Sequence, residues 1–302
     1  MISMEAKGWR RAIRTLVLLA SVPLWAAEKH AGKGLVLKVD PAHKTVVVSC
    51  EEMPGYMEAM AMPFHVKDAK TLQGLQPGTN IDFDLLVDKN ASFVENIRIH
   101  RFESLELDPT QARRLKLMEH AIAPSSLPPT LALGQSVPDF VLTDQSRNRV
   151  ALSQFAGKVV AVTFIYTRCP LPDYCFRLSN NFALLQKRFR SRMGSELVLL
   201  SIVIDPAHDQ PDALANYAHI WKADSQAWHF LTGAMPDIEK LSREFDMNFY
   251  PDEALFVHSF HTVVIDRKGK LAANLEGNNF SAKQLGDLVE TTLSQPNQRK
   301  GN

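Results

Sequence analysis

Val159-Val160-Ala161-Val162-Thr163-Phe164-Ile165-Tyr166-Thr167-Arg168-Cys169-Pro170-Leu171-Pro172-Asp173-Tyr174-Cys175 decides how the larger part of this chain folds. The run Val159 to Ile165 reads as a strand, and Leu178, Phe182, Leu185 and Phe189 then recur on one helical face. Two sulfurs therefore sit in a strand-to-helix loop, Cys169 at the carboxyl end of the strand, where open α/β sheets bind ligands, and Cys175 near the start of the helix. There the helix dipole is expected to favour the Cys175 thiolate. Downstream, His258 stands just before His261-Thr262-Val263-Val264-Ile265, a second apolar strand. In a parallel sheet that strand would bring the imidazole beside the sulfurs. Two thiolates and a neutral imidazole make a soft site suited to copper or zinc, or a redox-active dithiol. A disulfide between Cys169 and Cys175 is the plainer alternative.

Around this segment, strands and helices alternate. Phe140 to Thr143 and Leu197 to Ile204 read as strands, the latter a continuous apolar run of the kind found inside a parallel sheet. Leu214, Tyr217, Ala218 and Trp221 form one helical stripe, and Ile238, Leu241 and Phe245 another. His261 to Ile265 and Lys270 to Ala273 make a hairpin, and a Ser281/Gln284 capping box opens a last helix. A β-α-β unit followed by a hairpin and a terminal helix is the thioredoxin-like order. His261, an odd number of residues from His258, faces the other way in an extended chain and is read as structural. Asp173 is read as a solvated loop carboxylate, with weak oxygen ligation as the alternative.

Upstream the rhythm differs. Leu35 to Val39, Thr45 to Val48, Ile81 to Leu85 and Phe93 to Ile97 are short strands separated by turn signals at Asp40-Pro41, Pro77-Gly78 and Asp88-Lys89-Asn90. Their spacing fits a small all-β barrel or sandwich of about five strands. Thr110 to Ile122 reads as a helix, and Ala123 to Pro129 as a stiff linker. The expected organisation is a barrel over 30–105, a helix and linker over 106–132 and an α/β domain over 133–295. Four methionines, Met53, Met57, Met60 and Met62, fall within ten residues. If Met60 to Phe64 is extended, Met60 and Met62 project from one face, two thioethers that suit monovalent copper. Cys50 stands nearby as a third soft group. The plainer alternative is methionine as core filler.

The 302 residues are 45% hydrophobic and 22% charged, a globular composition long enough for two domains. Residues 1–27, with Lys7, Arg10, Arg11 and Arg14 before an apolar stretch, read as a secretory signal peptide. An uncleaved anchor is the alternative, although Leu16 to Ala27 is short of the ~20 residues a spanning helix needs. Export implies an oxidising compartment, in which three cysteines cannot all pair with one another. A net charge of +1 without a dense basic run gives no footprint for nucleic acid.

Residues 133 to 295 resemble the Sco/SenC copper chaperones. The likeness rests on Val137-Pro138-Asp139-Phe140, Phe155-Ala156-Gly157-Lys158, Thr163 to Pro170, Ser201 to Pro206, Trp228 to Gly233 and Val257 to Asp266. It implies a thioredoxin-like fold and copper ligation by Cys169, Cys175 and His258. It also implies a role in metallating the copper centre of cytochrome oxidase, or in reducing its cysteines beforehand. The usual Cys-Pro-x-x-Cys-Pro spacing is lengthened here to five intervening residues, and Phe176 replaces the second proline. Met60-Ala61-Met62-Pro63-Phe64 resembles the signature of the CusF-like periplasmic copper-binding barrel, with Cys50 roughly where that family has a histidine and Tyr56 the nearest stand-in for its capping tryptophan.

These likenesses together imply an exported, periplasmic copper metallochaperone whose partners are the copper ion and a copper-receiving oxidase subunit, close to a membrane. The alternatives are a periplasmic thiol-disulfide oxidoreductase using Cys169 and Cys175, and a copper-sequestering or copper-sensing protein.

Overall fold

The structure, a computed structural model, describes residues 28–88, 91–100, 130–252 and 255–295, together with residues 113 and 117. The expected signal segment and most of the helix and proline linker lie outside these residues. Residues 113 and 117 of that expected helix are helical.

Five strands close into a barrel in the order β1-β2-β3-β5-β4: β1 (Glu28–Asp40), β2 (Thr45–Cys50), β3 (Ala61–His65), β4 (Asn80–Asp88) and β5 (Ala91–Ile99). Alternation along each strand sends one set of side chains inward. Val36, Val46, Val48, Phe64, Ile81, Phe83, Leu85 and Val94 form the resulting core. The register Gly34↔Cys50 works because Gly34 has no Cβ: one would lie 2.6 Å from the Ser49 carbonyl oxygen and 2.6 Å from Val48.

The second unit is a seven-stranded sheet in the order β14-β13-β8-β9-β10-β6-β7. Its strands are β6 (Val141–Asp144), β7 (Arg149–Ala151), β8 (Val159–Ile165), β9 (Leu197–Val203), β10 (Trp228–Thr232), β13 (His261–Ile265) and β14 (Leu271–Glu276). Helices α1 (Arg177–Arg188), α2 (Pro211–Ile220), α3 (Met235–Glu244) and α4 (Ala282–Leu293) join or follow them, and β11 (Phe249–Asp252) and β12 (Leu255–His258) form a separate hairpin. All seven residues of β8 and of β9 are buried, as their largely apolar runs require, and the one hydroxyl in each is paired, Thr163 with Thr262 and Ser201 with the Trp228 indole N–H. This is the thioredoxin-like arrangement. The Ser281/Gln284 capping box is formed at the start of α4.

Four strands, β7, β10, β11 and β12, are too short or too irregular in pattern to stand out in the sequence. The expected parallel placement of the strand after His258 is corrected. β13 runs antiparallel to β8, with Thr262 opposite Thr163 and Ile265 opposite Val160. That direction matters, because it puts the start of β13 beside the carboxyl end of β8. A parallel neighbour would have carried His258 to the opposite edge of the sheet.

The two units touch directly. Leu35 and Leu37, on the outer face of β1, belong to the same buried cluster as the sheet domain, and Val47 packs against it. Ser49 Oγ donates to Asp287 Oδ2 on α4 at 2.7 Å, and Gln284 Nε2 donates to the Ser49 carbonyl at 3.3 Å.

Candidate metal centre

Tyr166, the residue that follows β8, is buried and organises the dithiol. The chain beyond it turns at Cys169, whose N–H donates to the Tyr166 carbonyl at 3.2 Å, and passes through a tight turn over Pro172–Phe176 that contains Cys175. Tyr174 breaks the helical backbone there, with φ −109° and ψ −110°. Cys169 is partly exposed and Cys175 is buried; both are free thiols.

Their chemistry differs sharply. Cys175 donates a hydrogen bond to Cys169, and backbone hydrogen bonds with Cys175 and Leu171 and the Tyr166 hydroxyl add to it, so the Cys169 thiol is held down to about 6 despite partial burial. Cys175, as the donor to Cys169 and through its own burial, is raised well above the usual thiol value. The expected helix-dipole effect on Cys175 is thereby corrected. Burial and the neighbouring sulfur outweigh the partial charge of a helix start, and the thiolate resides on Cys169. Burial, with the Cys169 charge beside it, also raises the Tyr166 phenol, keeping it protonated as a donor.

Beneath the loop, the fully buried Asp209 accepts from the Thr167 N–H at 3.1 Å and from the Thr167 hydroxyl. Burial raises its carboxyl above the ordinary range. Arg168 donates to Asp205 at 2.6 Å, tying the other side of the loop to the segment after β9. Asp173 is exposed, its carbonyl accepting from Asn278, as expected of a solvated loop residue.

His258, at the end of β12, lies edge-on to Tyr166, with ring centroids 5.9 Å apart, and against Phe260 at 4.5 Å. Its Nδ1 donates to the Ser259 carbonyl at 2.8 Å, which leaves Nε2 with the lone pair. Burial lowers its pKa to about 4, so the ring is neutral. Tyr166 thus touches both the thiolate and the imidazole. Among the described residues, no three of His, Cys, Asp and Glu are grouped closely enough to hold a metal ion. His261 is buried in the sheet with Nδ1 2.9 Å from Asn274 Oδ1, a structural histidine as read from its spacing.

In the barrel, Met60 is exposed, Met62 is partly buried and packs on the core, and Cys50 is buried. Met62 stands opposite Val48, and the Cys50 N–H donates to the Met60 carbonyl at 2.9 Å, so the three share one end of the β2–β3 pair. Burial pushes the Cys50 thiol up to about 12. Tyr56 stacks on His30, a residue whose place inside the barrel the sequence reading passed over.

A family model described as SCO1/SenC matches residues 130–293, over half of the chain. The chain belongs to the SCO1/SenC family. A second model, the copper binding periplasmic protein CusF, matches residues 29–99, the whole barrel. Among relatives, Protein sco1 of Schizosaccharomyces pombe is 27% identical over 160 residues, half of this chain and 58% of that protein. A putative copper-binding protein of Stutzerimonas stutzeri is 26% identical over 117 residues, 39% of this chain and 55% of that protein. This chain therefore spans less than two thirds of either relative. Solved structures with a similar fold include yeast Sco1 with copper bound, at 23% identity and a TM-score of 0.47 over 57% of this chain and 92% of that one. Arabidopsis thaliana ScoI with copper bound has 21% identity and a TM-score of 0.46 over 52% and 98%.

Proposed function

We propose that this SCO1/SenC protein is an exported copper metallochaperone that serves assembly of a cytochrome oxidase copper centre. In this reading Cys169, Cys175 and His258 hold copper in the sheet domain, and the barrel holds monovalent copper through Cys50, Met60 and Met62. The observation that carries the reading is the pairing of a stabilised Cys169 thiolate with a neutral imidazole whose Nδ1 is committed to the Ser259 carbonyl, so that Nε2 keeps the lone pair, both in contact with Tyr166. Soft thiolate and imidazole donors suit copper. Ligation by His258 calls for the β11–β12 hairpin to close onto the sulfurs, a movement of one short peripheral element. Transfer runs downhill from thioethers to thiolates, with the barrel docked against the domain that receives the ion.

The test is spectroscopic. Divalent copper added to the reduced protein is expected to give intense thiolate-to-copper charge-transfer absorption, and Cys169→Ser or His258→Ala to abolish or shift it. Unchanged affinity and spectrum in both variants would overturn the assignment.

One observation favours a second reading, thiol-disulfide exchange: Cys169 is accessible and ionised while Cys175 is buried and protonated, the asymmetry of an attacking and a resolving sulfur. Structural disulfides lie below about −300 mV and catalytic couples above it. A redox titration giving a very low potential, with no exchange activity, eliminates this reading.

A further inference from the structure

The barrel's β2 ends in Ser49-Cys50 and offers no histidine beside the methionines, yet an imidazole stands at the same mouth on a different strand. β1 runs antiparallel to β2 and to β4, and β2 antiparallel to β3, so the start of β1, the end of β2, the start of β3 and the end of β4 surround one mouth. On β1, His30, Gly32, Gly34 and Val36 alternate onto the inward face. His30 is paired with Leu85 and Gly32 with Phe83, both core residues. A Cβ on Gly32 would lie 2.5 Å from Met53 Cε, so the Met53 side chain crosses that glycine two residues from the imidazole. Met53 and Met57 pair through their backbones, and the loop they pin brings Tyr56 flat onto the His30 ring, centroids 3.9 Å apart and planes 21° apart. His30 Nε2 is shielded from solvent and makes no hydrogen bond; its nearest charge is the exposed Glu28 carboxylate, 3.4 Å away and outside hydrogen-bonding geometry.

A buried imidazole nitrogen with no hydrogen bond is costly unless something else takes its lone pair or proton. Cys50, Met60 and Met62 close the same mouth from β2 and β3. We propose that His30 is the nitrogen ligand of the barrel's metal site, donating through Nε2 alongside the thioethers of Met60 and Met62, with Tyr56 holding the ring in place. The site then adds one imidazole nitrogen to the sulfurs of Cys50, Met60 and Met62, a mixed nitrogen–sulfur set suited to monovalent copper. The inference rests on the barrel reading proposed above and adds to it a donor from β1, a strand that carries none of the methionines.

The experiment uses the full chain with Cys169→Ser and Cys175→Ser, so that the dithiol does not compete, titrated with monovalent copper against a chromophoric chelator. The parent is expected to bind one ion with imidazole scattering in its X-ray absorption spectrum. His30→Gln should lose that scattering and weaken affinity by about tenfold or more, and Met60→Leu with Met62→Leu should weaken it separately. If His30→Gln leaves both measurements unchanged while the methionine variant weakens binding, His30 is not a ligand and the thioether reading stands without it. If the parent takes up no copper, both readings fall. Should His30→Gln fail to fold, the parent's spectrum decides: imidazole scattering supports the proposal, and an all-sulfur environment overturns it.

Discussion

At the residue scale, one polarised pair of sulfurs dominates. Because the Cys169 thiol sits at about 6 and its neighbours hold the proton elsewhere, alkylation of the reduced native protein is expected at Cys169 alone. Its rate should rise with a midpoint near pH 6, while Cys50 and Cys175 stay unlabelled until denaturation; mass mapping of iodoacetamide adducts checks this. His258 makes a second prediction. Its folded value of about 4 lies below the ordinary 6.5, so between these values the unfolded chain takes up a proton that the native ring excludes. The contribution is complete above pH 6.5 and is lost as pH falls toward 4. Denaturation of the wild type and His258→Gln across this window should show the wild type losing stability relative to the variant as acid is added. Parallel curves would mean that the ring is not desolvated.

At the element scale, the close approach of β1 to β2 depends on one missing side chain. Gly34→Ala would press a methyl group onto the Ser49 carbonyl and Val48, both parts of the strand that ends in Cys50. Overpacking of this kind costs about 1–3 kcal/mol. Chemical denaturation is expected to show that loss, with weakened copper uptake by the barrel as a consequence of the displaced β2–β3 end. The same scale explains why His258 reaches the dithiol's side of the sheet. Antiparallel pairing of β13 with β8 brings the segment before His261 to the carboxyl end of β8.

At the scale of the whole molecule, α4 ties the barrel to the sheet domain through the Gln284 amide and a buried carboxylate, Asp287. Asp287 accepts from Ser49 of the barrel at 2.7 Å, from Arg188 of α1 at 2.8 Å and from Lys283 of its own helix at 2.7 Å. Asp287→Ala leaves Ser49 without its acceptor at a buried interface. A loss of about 1–3 kcal/mol is expected, together with faster amide exchange in β1 and β2 than in β8 and β9. Equal exchange throughout both units would show that the apolar contacts of Leu35 and Leu37 suffice to couple them.

Much of this architecture was legible in residue order. Seven-residue apolar runs predict buried central strands, the Ser281/Gln284 pair predicts the start of α4, and the turn signals delimit four of the five barrel strands, because each pattern acts over one element. The pairing of Cys169 with Cys175 in one loop was legible for the same reason. The strands β7, β10, β11 and β12 were not, being three to five residues long and stabilised by their neighbours rather than by their own periodicity. Which sulfur carries the charge also escaped the sequence, since it depends on the relative burial of two thiols and on a phenol that turns toward one of them. The imidazole at the barrel mouth escaped it too: His30 lies some twenty residues from the nearest methionine, and only closure of the barrel brings β1 to the same opening. Local pattern alone determined two successive folds and a dithiol loop. Strand direction, burial and barrel closure, which depend on residues far apart in the chain, decided where the charges and unengaged donor atoms lie.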